Sequence, residues 1–157
     1  MSEGTSAAGS PGPESTCTSS SGAPSCRPCA SAALQCAASN GDFRVQAPAT
    51  DDPAEIGRCD FVLFCVKTFD TDAAAARLGP LVGNGTAVVS LQNGIDAEEK
   101  LAEAVGDAHV MGGAAFIFAQ SAEPGVIVHS GGPTRSIFGE LDGRASSRAQ
   151  RLQACCE

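Results

Sequence analysis

The sequence predicts an α/β fold built on an open, largely parallel sheet, and three observations carry that expectation. From Gly41 onward, short apolar runs alternate with amphipathic segments, which is the pattern of βαβ units. Residues 61–66 form an unbroken apolar run, as expected of a strand covered on both faces, and residues 87–91 form a second apolar strand. Each run delivers a polar residue just beyond its C-terminal end, Lys67 and Asn93. In open parallel sheets ligands bind in the crevice outside the carboxyl ends of the strands, so these two residues are candidates for one shared site.

Residues 1–40 read as a disordered segment rich in Ser, Ala, Pro and Cys. Apart from Met1 and Leu34 they hold almost no large apolar side chain. That is too little burial to offset a backbone ordering cost of about 1–2 kcal/mol per residue. The folded domain is expected over residues 41–157.

Residues 43–47 alternate apolar and polar side chains, which suits an edge or half-buried strand. Asp52-Pro-Ala-Glu-Ile56 supplies a cap, a proline at the first helical position and an acidic first turn, so a short helix precedes Gly57. After the strand at 61–66, a helix over 71–78 sets Ala74, Leu78 and Val82 on one side and stops at Gly79-Pro80. Gly83-Asn-Gly85 then turns the chain into the strand at 87–91.

Residues 96–105 carry the strongest helix signal. Asp96 is placed to cap it, with Glu99 three residues on as in a capping box. Ala97, Leu101, Ala104 and Val105 make the expected inner face, and Gly106 ends the helix. Three further strands are expected over 110–119, 126–129 and 135–141, divided by turns at Glu-Pro-Gly125 and Gly131-Gly-Pro133. Residues 144–153 begin a last helix.

A formal charge of −8, from 10 Lys and Arg against 18 Asp and Glu with no basic cluster, argues against a nucleic-acid partner. No apolar run approaches the roughly 20 residues that span a bilayer, and the N-terminus has no basic region followed by an apolar one. The expectation is a cytoplasmic protein with no membrane partner. Of the eight cysteines, Cys26-Arg-Pro-Cys29 has the spacing of a zinc knuckle or a thiol redox motif. Cys17 and Cys36 are the thiolates available to complete a zinc site. No second pair at this spacing and no apolar strand before the motif support either chemistry, so no metal site is expected. Cys65, inside the apolar run, reads as a small buried hydrophobe.

Lys67 has a plain reading, a solvated lysine at a strand end, and a functional one, a point charge facing a cofactor phosphate or ribose. Asn93-Gly94 is a favoured turn dipeptide, yet the Asn amide also offers a donor and an acceptor able to bridge two ligands. His129, alone at a strand end, reads as structural, and Glu123, Glu140 and Asp142 as surface acids. No Ser-His-Asp order, metal-spaced histidine cluster or P-loop is present, which leaves hydrolase and nucleotidyl-transfer chemistry without support.

The order Ala49-Thr-Asp-Asp-Pro53, Asp60-Phe-Val-Leu-Phe-Cys-Val-Lys67, Ser90-Leu-Gln-Asn-Gly94, Met111-Gly-Gly113, Glu123-Pro-Gly-Val-Ile-Val-His129 and Phe138-Gly-Glu140 resembles the 2-dehydropantoate 2-reductases, also called ketopantoate reductases. The resemblance runs from about Gly41 to Leu152. It implies a partial Rossmann-like doubly wound sheet lacking its first βαβ unit, because no Gly-x-Gly-x-x-Gly turn follows a strand here. It also implies an NADP-dependent oxidoreductase of pantothenate biosynthesis, reducing 2-dehydropantoate or a related 2-oxo acid. By the same resemblance Lys67 contacts NADPH, Asn93 contacts both NADPH and the substrate, and a further cofactor contact falls at Ala119. No catalytic residue is assigned within the chain, since the family's lysine lies in a C-terminal helical domain that these residues do not include.

Two other readings stand beside this one. In the first, the chain is a non-catalytic truncated or frame-shifted fragment, its head replacing the first βαβ unit. In the second, it is a small zinc- or partner-binding module using the Cys-rich head. Without a preceding strand, residues 61–66 are expected to leave an open sheet edge prone to self-association.

Overall fold

The computed structural model describes residues 34–38 and 41–156. One four-stranded sheet carries the strands expected from the apolar runs: β3 (Phe61–Phe64), β4 (Ala87–Ser90), β5 (Val110–Phe116) and β8 (Arg135–Glu140), in the order β3-β4-β5-β8. The first three are parallel and β8 runs antiparallel to β5. A second sheet joins β1 (Leu34–Ala38), β2 (Phe43–Val45), β6 (Ala119–Glu123) and β7 (Val126–His129) in the order β2-β1-β7-β6.

Three helices cover the first sheet, one after each of the chain's main turns: α1 (Thr71–Ala75), α2 (Ala97–Val105) and α3 (Ser147–Cys156). Strand periodicity assigns them to opposite faces. Phe64 and Val88 pack with Ala74, Ala75 and Leu78 from the α1 segment and Leu101 from α2. Val89 and Met111, on the other face, pack with Leu152 and Ala149 of α3. Helices on both faces of a mainly parallel sheet give the expected doubly wound α/β class. Among the described residues β3 pairs only with β4.

The expected boundary near residue 41 is not where order begins. Leu34–Ala38 form a strand, held by antiparallel pairing to β2 and parallel pairing to β7. Gln35 N–H donates to the Gly125 carbonyl at 2.8 Å, and Ala38 N–H to the Asp42 carboxylate at 3.1 Å. The strand depends on a ladder with residues some ninety positions later, which local composition does not register. The remainder of the expected disordered head, residues 1–33, with Asn40 and Ser39, lies outside the described residues.

Other elements differ in detail. Helix α1 ends at Ala75, and the chain tightens into bonds from Arg77 to Ala74 and Leu78 to Ala75, both 3.1 Å. The proline at residue 80 has no N–H and disfavours helix just before it, so the helix closes early. Asp96 does not cap α2 through its side chain; the carboxylate instead faces Lys100 at 3.4 Å. Lys100 also reaches Asp72 of α1 at 3.2 Å, and the two acids, Asp72 foremost, hold its ammonium above the ordinary lysine range. The inner face of α2 takes in Ala102 and leaves Ala104 exposed, because it is centred between Leu101 and Val105.

The expected strand over 110–119 breaks in two. At the break, the Phe118 carbonyl accepts from Ser130 N–H at 2.9 Å, and the Phe118 ring lies so near Gly132 that an added Cβ would sit 2.7 Å away. That corner passes the chain from the first sheet to the second. The run at 61–66 is covered on both faces only at its start, where Phe61 packs on the α3 side; farther along, Leu63 is 56% exposed and Cys65 is exposed rather than buried.

Glu140, expected as a surface acid, is partly buried and ion-paired. Arg148 of α3 donates through Nε to its carboxylate at 2.7 Å, and through Nη1 to the Ala108 carbonyl at 2.5 Å, fastening α3 to the β5–β8 side of the sheet. The Arg148 guanidinium holds the Glu140 carboxyl below the usual carboxylate range. The stabilisation is therefore full above the unfolded glutamate value of about 4.3 and is lost as pH falls through the depressed folded value. Glu140→Gln is expected to lower stability by about 1–3 kcal/mol at neutral pH and to flatten this acid limb. Thermal melts between neutral and acid pH check it; a variant that melts like wild type with an unchanged acid limb contradicts the pairing.

Candidate functional site

β3 and β4 end level with one another, since Phe64 pairs with Ser90, and Leu91 N–H donates to the Phe64 carbonyl at 3.0 Å. Lys67 is the third residue beyond β3 and Asn93 the third beyond β4, so both emerge from the same end of adjacent parallel strands. Both are exposed. Lys67 has extended backbone, φ −72° and ψ 150°, and its carbonyl accepts from Asp70 N–H at 2.9 Å as a tight turn leads into α1. Among the described residues Lys67 has no ion pair.

The two loops touch. Thr71, buried at the start of α1, donates its hydroxyl to the Thr68 carbonyl at 2.9 Å and accepts from Gln92 Nε2 at 2.8 Å. Thr68 and Gln92 are the immediate neighbours of Lys67 and Asn93. Gly94, at φ +126°, has a conformation few other residues tolerate, and a Cβ there would lie 3.5 Å from the Thr68 methyl. Thr71 and Gln92 escaped sequence reasoning; the available signal was Gln92 within Ser90-Leu-Gln-Asn-Gly94.

Ala119 is placed differently. It is the third residue beyond β5, exposed, and opposite His129 in the β6–β7 ladder. β5 runs from Gly112, the partner of Ser90, on to Phe116. At about 3.3 Å per residue the end of β5 at Phe116 therefore lies roughly 13 Å beyond the level of the β4 end, and Ala119 follows past the corner into the second sheet. The structure brings Lys67 and Asn93 together and sets Ala119 apart from them.

Around this end of the sheet the surface is mixed. A hollow of about 360 Å³ follows the outer side of β3 from Val62 to Lys67, between Pro53, Ala74 of α1 and Arg77 just beyond that helix. Arg77 closes its rim by donating to the Asp51 carbonyl. Phe69 and Ile95, in the two site loops, are the most exposed large apolar side chains among the described residues, at 83% and 96%. His129 is buried, and its Nε2 has no hydrogen-bond partner among the described residues, so it is withdrawn from solvent chemistry.

Of the cysteines considered for zinc, Cys17, Cys26 and Cys29 lie outside the described residues. Cys36 is a half-buried member of β1. Among the described residues no group of three or more His, Cys, Asp or Glu is placed to hold a metal. Burial, and then the neighbouring Asp60, push the Cys59 thiol up, which disfavours the reactive thiolate. Among the described residues no helix is long and apolar enough to cross a membrane.

Parallel strands with helices on both faces, and polar loops side by side at their carboxyl ends, define an α/β domain of the Rossmann-like class. The family model for ketopantoate reductase PanE/ApbA matches residues 22–143, and the chain belongs to that family. The match begins within the Ser- and Cys-rich head, upstream of where the sequence resemblance was drawn.

Among curated relatives, the 2-dehydropantoate 2-reductase of Halobacterium salinarum is 38% identical over 114 residues, which are 70% of this chain and 37% of the relative. That of Nostoc sp. is 35% identical over 91 residues, 57% of this chain and 28% of the relative. The crystal structure of 2-dehydropantoate 2-reductase from Geobacter metallireducens superposes with a TM-score of 0.70 at 38% identity, covering 77% of this chain and 40% of that one. The chain thus spans well under half the length of these relatives.

Gly113 of β5 is where the strand ends are packed most tightly. A Cβ there would meet Leu91 Cδ2 at 2.8 Å, the Ser90 carbonyl at 2.9 Å and the Ile137 carbonyl at 3.2 Å. Two of these atoms are backbone and cannot swing away. Gly113→Ala is expected to cost about 1–3 kcal/mol and to shift the amide resonances of residues 90–94. A melt and an amide spectrum both equal to wild type contradict this packing.

Proposed function

We propose that this chain carries the cofactor-facing part of an NADPH-dependent 2-dehydropantoate 2-reductase, a cytoplasmic oxidoreductase of pantothenate biosynthesis. The observation that supports it above others is the pairing of Lys67 and Asn93 at the level ends of β3 and β4. Lys67 is exposed and without an ion pair among the described residues, which suits an ammonium reserved for an anionic ligand. Asn93 is exposed beside it and follows a glutamine already engaged with Thr71, so its own amide is left to a ligand.

In this reading Lys67 holds a phosphate or ribose oxygen of the cofactor. Asn93 donates to one ligand and accepts from another, orienting the substrate hydroxyl against the nicotinamide ring. Ala119 offers a small side chain where the cofactor passes the end of β5. NADPH, when bound, supplies the hydride that converts the keto carbon of 2-dehydropantoate to the secondary alcohol of pantoate. No residue of this chain is assigned the proton transfer, which family resemblance gives to a lysine of a helical domain. The proposed part played by these residues is binding and orientation.

NADPH added to the purified chain is expected to raise its melting temperature by several degrees, with about 2.7 kcal/mol of stabilisation at a hundredfold excess over Kd. Lys67→Ala is expected to remove the shift, while Glu103→Ala, on the exposed face of α2, keeps it. A wild-type melt unmoved by saturating NADPH, or one that Lys67→Ala leaves intact, refutes the assignment.

The edge of β3 left unpaired among the described residues supports a second element of the proposal, self-association of the isolated chain. Light scattering is expected to give a mass that rises with concentration, and Leu63→Lys to suppress the rise. A monomer at every concentration counts against it.

A further inference from the structure

Thr71 and Gln92 occupy a position that neither the sequence motifs nor the cofactor reading accounts for. Thr71 is 2% exposed, yet its hydroxyl is fully engaged: it donates to the Thr68 carbonyl at 2.9 Å and accepts from Gln92 Nε2 at 2.8 Å. The two partners stand 21 residues apart in the chain, Thr71 at the start of α1 and Gln92 in the loop after β4. One loop leaves β3 and carries Lys67; the other leaves β4 and carries Asn93. The Thr71–Gln92 contact therefore joins the segment that follows β3 to the loop that follows β4.

We propose that Thr71 and Gln92 are positioning residues, a buried hydroxyl–amide clasp that fixes the Lys67 ammonium relative to the Asn93 amide so that both engage one cofactor. This inference rests on the cofactor reading of Lys67 and Asn93 and adds the device that sets their spacing.

The chemistry favours that role over simple support. The turn after Lys67 is already set by backbone bonds, from Asp70 N–H to the Lys67 carbonyl at 2.9 Å and from Thr71 N–H to the Thr68 carbonyl, but these bonds stay within one segment. The Thr71 hydroxyl adds a bond to that same carbonyl, and the Gln92 amide ties the turn to the strand end that presents Asn93. Burial matters as well. A hydroxyl excluded from water loses much when either bond is missing, so the clasp holds one arrangement rather than exchanging with solvent.

The test is a double-mutant cycle on the full 157-residue chain, with NADPH affinity read by nucleotide fluorescence well below the apo melting temperature. Thr71→Val keeps the side chain's shape and removes the hydroxyl; Thr71→Ser keeps the hydroxyl; Gln92→Ala removes the clasp from the other loop. Thr71→Val and Gln92→Ala are each expected to weaken NADPH roughly fivefold, and Thr71→Ser to restore near wild-type affinity. The loss caused by Lys67→Ala is expected to shrink when Thr71→Val is already present. The salt dependence of binding, which reports the Lys67 charge, should also flatten in Thr71→Val as it does in Lys67→Ala.

If the wild type binds NADPH and Lys67→Ala weakens it, while Thr71→Val and Gln92→Ala bind as wild type or act independently of Lys67, the clasp is overturned and the cofactor reading stands. If the wild type binds no NADPH, both fall. Should Thr71→Val fail to fold, the same cycle run with Gln92→Ala, a residue in a partly exposed loop, decides the matter.

Discussion

The parallel register between β3 and β4 is the constraint on which the rest of the molecule depends. Phe64 opposite Ser90, with Leu91 N–H on the Phe64 carbonyl, makes both strands stop at one level. That level is enforced by packing. Ala87, Val88, Val89 and Ser90 are each 0% exposed, with Val88 in the cluster of α1 and α2 and Val89 in that of α3. A slip of one residue would exchange these faces and send Val88 toward the wrong helices. The neighbouring loops inherit their separation from this register before any side chain of the site is considered.

Upon that frame the site is built from short-range chemistry. The Thr71 hydroxyl joins the two segments, Gly94 turns the chain at φ +126°, and Gly113 lets β5 press against the end of β4. Each device is small or buried, and none occupies the crevice itself. Lys67 and Asn93 are left exposed on a fixed base, as the proposed binding of a flexible, charged ligand requires. Membership of the ketopantoate reductase family agrees with this division between rigid strand ends and exposed polar residues.

Much of the sheet was legible from the sequence because its strands are locally encoded. The runs at Phe61 and Ala87, and the Leu101 face of α2, owe their identity to apolar periodicity within a few residues. What escaped was set by distant partners. β1 has the composition of a loop and is a strand through its ladder with distant β7 as well as with neighbouring β2. Phe118 breaks an apparently continuous strand because Gly132 accepts its ring. Asp96 has every local mark of a capping residue, yet Lys100 holds its carboxylate. The site divides in the same way. Lys67 and Asn93 could be read from strand ends and motif order, whereas the Thr71–Gln92 bond links elements whose contact exists only in the folded sheet.

The central claim, that the β3 and β4 loops form one cofactor crevice, is tested most directly by hydrogen exchange of the intact chain with and without NADPH. Slowed exchange in both residues 67–71 and 91–96, appearing together over the same range of cofactor concentration, is the result the account predicts. Protection confined to one loop, or arising elsewhere on the surface while both loops exchange as before, would contradict it.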